Sequence, residues 1–282
     1  MSRGLGDVYK RQEQLVAAVK RGDVAVATID KAVRRILSLK FQMGLFDDPF
    51  VDEKQAVQLV ASSEHTGLAR EVARQSIVLL KNKDKLLPLK KDIRTLAVIG
   101  PNANNVYNML GDYTAPQADG TVVTVLDGIR QKVSKETRVL YAKGCAVRDS
   151  SRTGFKDAIE TARNADAVVM VMGGSSARDF SSEYEETGAA KVTINQISDM
   201  ESGEGYDRAT LHLMGRQLEL LEEISRLGKP VVLVLIKGRP LLMEGAIQEA
   251  EAIVDAWYPG MQGGNAVADV LFGDYNLSLI HI

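Results

Sequence analysis

The 282-residue chain is 45% hydrophobic and 26% charged, an ordinary globular balance with material for one large domain or two smaller ones. Its 35 Lys and Arg nearly cancel its 37 Asp and Glu, no basic stripe stands out, and no apolar run approaches the roughly 18 residues that span a bilayer. Nucleic acid and membrane are therefore not expected as partners. A single cysteine, Cys145, rules out an intrachain disulfide and a cysteine metal cluster and fits a small buried hydrophobe. The three histidines, His65, His212 and His281, show no ligand spacing, so neither metal nor other cofactor is expected.

In chain order, Glu13–Lys20 and Thr28–Leu45 read as helices. In the second, Ile29, Val33, Ile36, Leu37 and Phe41 form an apolar stripe at helical spacing, with Thr28 as N-cap and Gly44 as stop. A third helix is expected over Glu64–Leu80, and a short strand over Leu86–Leu89. Strands then fall at Thr95–Ile99, Arg138–Ala142, Ala167–Met172, Pro230–Ile236 and Ala252–Trp257. Helices fall at Asn104–Leu110, Val123–Val133, Phe155–Asn164, Leu211–Leu227, Glu244–Gln248 and Gly264–Phe272. Continuous runs such as Val231–Ile236 are what strands covered on both faces look like. The expected fold is α/β, a mainly parallel sheet with helices on both faces.

One connection is out of proportion. After Ala167–Met172 and Gly173-Gly174, no periodic pattern returns until about Leu211. Connections beyond roughly 12–15 residues are uncommon in compact domains unless they bind or cover something. This one leaves a strand end, where open α/β sheets place ligands. Between Arg178 and Arg208 it carries eight Asp or Glu against three Lys or Arg. Glu204 sits between two glycines, a setting that can present a carboxyl group from a loop, and is the candidate active-site acid. The blander alternative is a solvated loop glutamate, and Glu201 and Asp207 are the neighbouring rivals. Tyr258-Pro259-Gly260 and Gly263-Gly264 lack phosphate-loop spacing, and no Gly-x-Ser-x-Gly elbow is present.

Ser202-Gly203-Glu204-Gly205-Tyr206-Asp207-Arg208, followed by Gln217-Leu218-Glu219-Leu220, resembles glycoside hydrolase family 3. So do Gly228-Lys229-Pro230-Val231-Val232, Lys237-Gly238-Arg239-Pro240, Trp257-Tyr258-Pro259-Gly260 and Leu271-Phe272-Gly273-Asp274-Tyr275-Asn276. Upstream, Ile29–Leu37 and Gly44-Leu45-Phe46 resemble the helix that closes that family's barrel. Ser76–Asn82 and Leu86–Leu89 resemble the entry to its second domain. The likeness keeps its order from about Glu13 to Asn276.

The resemblance implies residues 13–50 as the last helices of a truncated (β/α)8 barrel, 51–85 as linker and helix, and 86–276 as the family's C-terminal α/β sandwich. It implies an exo-acting, retaining β-glycosidase of β-glucosidase type acting on an oligosaccharide or β-glycoside. Glu204 matches the general acid/base. Gly174, Ser175 and Arg208 are candidate substrate-binding residues, with a turn at Gly173-Gly174-Ser175 and a staple by Arg208 and Asp207 as the structural alternatives. The family's nucleophile, an aspartate in a Ser-Asp-Trp type motif, has no match here, since Trp257 follows Asp255-Ala256; the Lys-His sugar grip is also absent. The missing N-terminal barrel is thus expected as a partner in cis, and the fragment alone is expected to be inactive. A β-xylosidase of the same family, or a non-catalytic carbohydrate-binding or scaffold domain, is the alternative. Residues 1–12 and 277–282 read as translated sequencing adapter rather than natural protein. The compartment is left unassigned, periplasmic or secreted placement being compatible with the family.

Overall fold

The computed structural model describes residues 14–177, 199–203 and 207–277. The chain divides into two units; of the described residues, the first holds 14–62 and the second holds those from Ser63 onward.

The first unit is helical: α1 over residues 14–21, α2 over Val26–Gln42 and α3 over Glu53–Leu59. The apolar stripe of α2 exists as expected, but Val33, Ile36, Leu37 and Phe41 are exposed and no residue of the helix is buried. Thr28 is not the cap. The helix starts two residues earlier, and the Thr28 amide donates to the Ala25 carbonyl inside the first turn. At the other end Gly44, at φ +68°, lets the chain turn away. Asp52 caps α3, accepting from the amides of Lys54 and Gln55.

The second unit is a six-stranded sheet in the order β1-β6-β5-β4-β2-β3. Its strands are β1 Val78–Asn82, β2 Thr95–Ile99, β3 Arg138–Ala142, β4 Ala167–Gly173, β5 Val231–Ile236 and β6 Ala252–Trp257. All pairings are parallel except β1 with β6. Its helices are α4 Ser63–Ser76, α5 Val106–Leu110, α6 Val125–Lys132, α7 Phe155–Arg163, α8 Gln217–Ser225, α9 Glu244–Glu249 and α10 Gly263–Leu271. Both faces of β5 are covered, which explains its unbroken apolar run. Val232, Val234 and Ile236 belong to one apolar core with residues of α4, α6 and α10; Val231, Leu233 and Leu235 belong to another with residues of α7, α8 and α9.

Three expectations for this second unit differ from the structure. The helix expected over Glu64–Leu80 ends at Ser76, and Val78–Asn82 becomes the antiparallel edge strand β1. The apolar run Ile77–Leu80 suits either state, and pairing with β6 decides it. Lys81 secures that strand by donating to the Ile247 and Ala250 carbonyls at the end of α9. Leu86–Leu89 is not a strand: Asp84 and Lys85 turn the chain through positive φ, and Asn82 bonds both the amide and the carbonyl of Leu87. The helix expected over Leu211–Leu227 covers only Gln217–Ser225, because Gly215 at φ +63° packs its Cα against the carbonyls of Val147 and Asp149.

Asp269 of α10 is wholly buried among Arg70 and Arg74 of α4 and Lys132 of α6, at 2.5–2.6 Å. Burial alone would raise its carboxyl, but Arg70, Lys132 and Arg74 together hold it well below the usual carboxylate range.

Candidate functional site

The carboxyl ends of β2, β4, β5 and β6 share one edge of the sheet. Between β2 and β4 the connections change direction: α6 leads from β2 outward to β3 on one face, and α8 leads from β4 to β5 on the other. Such a switch point opens a crevice. At this edge the strand ends are joined by a buried polar chain. Asn102, just after β2, donates to the carbonyls of Gly174 (3.1 Å) and Ile236 (3.3 Å) and accepts from Asn108 (2.7 Å). Ser175 donates its hydroxyl to Asn108 Oδ1 at 2.6 Å and accepts from the Ala177 amide. From α8, Gln217 accepts from the Gly173 amide and donates to the carbonyls of Gly173 and Val147. These bonds satisfy strand-end backbone that would otherwise be buried unpaired. Gly173 itself, at φ +131°, passes so close to β5 that a Cβ would lie 2.0 Å from the Ile236 carbonyl oxygen.

Glu204 lies outside the described residues, with Gly205 and Tyr206. Its flanks are described. Upstream, Asp199 accepts from the amides of Val147 and Arg148, Arg148 Nη1 donates to the Met200 carbonyl at 2.8 Å, and the Glu201 amide donates to the Ser175 carbonyl at 2.8 Å. Gly203 adopts φ +139°, a backbone conformation that L side chains rarely take, which favours glycine before Glu204. Downstream, Asp207 is exposed and pairs with Arg239 at 2.7 Å. The Arg208 amide, then Arg239, holds the Asp207 carboxyl below its ordinary range.

Glu201 and Arg208 meet across this segment, Oε2 to Nη1 at 2.6 Å, and neither side chain has appreciable exposure. Arg208 also donates Nε to the Thr210 carbonyl at 2.7 Å and Nη2 to the His212 carbonyl. The Glu201 carboxylate rests on Gly174, where a Cβ would lie 2.0 Å from Oε1. Burial pushes the Glu201 carboxyl up, while Arg208, Arg239 and Arg148 pull against that rise.

Two further features involve residues that the sequence showed only as parts of motifs. Lys237, one residue past β5, is buried with its ammonium 2.5 Å from Asp255 and 4.0 Å from the centroid of Trp257. Asp255 also accepts from the Trp257 amide, fixing a residue at φ +55°. An aspartate inside an otherwise apolar strand was the available signal, since a buried carboxylate needs a cation. The Tyr258 hydroxyl is buried beside Ser176 and Ser202, and burial raises it above its ordinary range.

Of the sequence candidates, the structure brings Gly174, Ser175, Glu201 and Arg208 together at the carboxyl edge of the sheet and leaves Asp207 exposed. Ser175 is buried, with its hydroxyl spent on protein groups, and the Arg208 guanidinium is likewise covered. A groove of 480 Å³, lined by His65, Leu68, Val72, Tyr258 and Met261 among others, has no carboxylate in its lining. Among the described residues no cluster of three His, Cys, Asp or Glu is arranged to hold a metal, and no helix is long and apolar enough to cross a membrane.

The comparisons with known proteins agree with the fold and the edge motifs. The model of the glycosyl hydrolase family 3 C-terminal domain matches residues 77–278. A β-xylosidase of Formosa agariphila is 41% identical over 88% of the chain, and a periplasmic β-glucosidase of Salmonella typhimurium is 36% identical over 94%. A β-glucosidase structure from Erythrobacter marinus superposes with a TM-score of 0.74 at 36% identity, over 93% of this chain and 35% of that one. The Listeria innocua β-glucosidase in complex with isofagomine gives a TM-score of 0.72 at 28% identity, over 94% of this chain and 33% of that one. The chain belongs to glycoside hydrolase family 3, and its sheet unit is that family's C-terminal α/β sandwich. It spans about a third of the curated relatives' length, 32% and 35% for the two named.

Proposed function

We propose that this chain is the acid/base part of an exo-acting, retaining β-glycosidase that removes terminal β-D-glucosyl residues. Glu204 protonates the glycosidic oxygen as the bond to the sugar breaks, then removes a proton from the water that releases the glycosyl-enzyme. The attacking aspartate belongs to an N-terminal (β/α)8 barrel, of which residues 13–50 are the last helices. Gly174, Ser175 and Arg208 shape the crevice from beneath and do not grip the sugar. The observation that carries this reading is the Ser202–Arg208 motif in a family 3 chain, its two flanks bonded to the carboxyl edge of the sheet at the switch point. A β-xylosidase is the second reading, favoured by the relatives that bear that name.

Two experiments test it. The purified chain alone is expected to hydrolyse neither aryl β-glucosides nor aryl β-xylosides; turnover abolished by Glu204→Gln would mean that a second carboxylate of this chain attacks the sugar. In the longer polypeptide that includes the barrel, azide is expected to restore turnover of an activated glycoside by Glu204→Ala, giving a β-glycosyl azide. Azide attacks the intermediate without a general base, so no acceleration would count against Glu204.

A further inference from the structure

A glutamate three residues before the proposed acid could compete with it for the same chemistry, yet the Glu201 side chain is buried. Its side chain has 0% exposure, against 1% for that of Arg208. Neither carboxylate oxygen makes an aligned hydrogen bond. An isolated buried carboxylate is among the costliest groups a protein can carry, so its retention calls for a partner and a purpose. The partner is Arg208, at 2.6 Å. The two residues bracket the segment 202–207, one at each end.

We propose that Glu201 is a positioning residue: its carboxylate, seated on Gly174 and paired with Arg208, ties together the two ends of the segment that carries Glu204. This rests on the acid/base reading of Glu204. Each end is also anchored independently. The Glu201 amide donates to Ser175, and Arg148 holds the Met200 carbonyl; Arg208 reaches the Thr210 and His212 carbonyls, and Arg239 holds Asp207. The ion pair is the link that sets the span between those anchors. Gly174 fixes its depth, because all three atoms nearest a Cβ placed there belong to the Glu201 side chain.

That geometry supplies a selective perturbation. Gly174→Ala adds a methyl at a backbone conformation open to alanine and collides with nothing but the flexible end of Glu201. It moves the carboxylate without removing its charge, and Glu201→Gln removes the charge without adding bulk. A displaced general acid hurts poor leaving groups, which need the proton, far more than good ones, which do not. In the longer polypeptide with its barrel, both variants are expected to lower kcat/KM on an alkyl glycoside or disaccharide by about 10²-fold, the scale of a 1 Å misplacement. On the dinitrophenyl glycoside the loss is expected to stay within about threefold, since that step bypasses the acid. The Glu201→Ala, Gly174→Ala double variant should be no worse than Glu201→Ala, because the new methyl then meets empty space.

Equal losses on both substrates would reduce the pair to a structural role and overturn the inference, as would no loss at all. Should Glu201→Gln fail to fold, Gly174→Ala carries the same test. Glu204→Gln is measured alongside: if it lacks the leaving-group selectivity, the acid/base reading itself has failed, and if it has the selectivity while Gly174→Ala does not, the positioning role alone has failed.

Discussion

The helices over residues 14–62 and the sheet unit both carry apolar patterns, to opposite ends. In α2 the stripe Val33, Ile36, Leu37 and Phe41 is exposed, and Phe46 and Phe50 beyond it are exposed as well. In the sheet unit every residue of β2, β4 and β5 is buried. Helical periodicity yields a helix in both regions, because i to i−4 bonding is local, but local bonding contributes little stability without tertiary packing. The difference teaches that an amphipathic pattern specifies a secondary structure and a need for a partner, while stability depends on whether that partner is present.

The comparison would break most visibly in hydrogen exchange. Amides of Val231–Ile236 are expected to exchange only through global opening, and those of α2 to exchange faster by about 10³-fold or more, given typical domain stabilities of several kcal/mol. Equal strong protection in both regions would show that α2 is stabilised by something its exposure does not reveal.

Next in size is Asp269. Asp269→Asn leaves Arg70, Arg74 and Lys132 around a neutral group, and breaking a buried pair from one side typically costs about 3–5 kcal/mol. The folded carboxyl titrates below its unfolded value of about 3.9, so its contribution is fully present above that pH and declines as pH falls toward the folded value. Urea melts of the wild type should therefore lose stability below about pH 4, and the Asp269→Asn variant should lose less over the same interval. A parallel pH profile for the two proteins would remove Asp269 from the account.

Leu233→Ala, in the covered strand β5, should cost about 2–5 kcal/mol, whereas Ile36→Ala in α2 should stay within about 0.5 kcal/mol. Comparable losses by denaturant titration would erase the distinction between the regions. Asn102→Ala is the smallest of the expected losses in the sheet unit, at about 1–3 kcal/mol, because it leaves the Gly174 and Ile236 carbonyls and Asn108 short of a partner at the sheet edge. A neutral result in the same titration would mean that water replaces the amide.

The sheet was legible because its strands announce themselves twice, by β-branched runs and by glycine at their carboxyl ends, as in Val231–Ile236 and Gly173-Gly174. The misjudged elements lie where local pattern is ambiguous. Ile77–Leu80 suits helix or strand until β6 offers an edge, and Gly215 stops a helix by meeting a distant backbone that no local window contains. At the candidate site the motif around Glu204 was legible as a family 3 motif, and Glu201, Asp207 and Arg208 were legible as candidates. Their arrangement was not. That Glu201 pairs inward with Arg208 while Asp207 pairs outward with Arg239 depends on how the two flanks meet the sheet edge. The bonds of Asn102 and Gln217 were invisible for a related reason: an amide in sequence says nothing about which strand ends it will bond.

The central claim is that this chain contributes the general acid/base, Glu204, to a retaining glycosidase. Its most direct test is the leaving-group dependence of Glu204→Gln in the longer polypeptide with its barrel. The account predicts a loss of about 10²–10⁴-fold on a natural disaccharide, with glycosyl-enzyme formation from the dinitrophenyl glycoside little changed. Equal losses on both substrates would contradict it and move the assignment to another carboxylate.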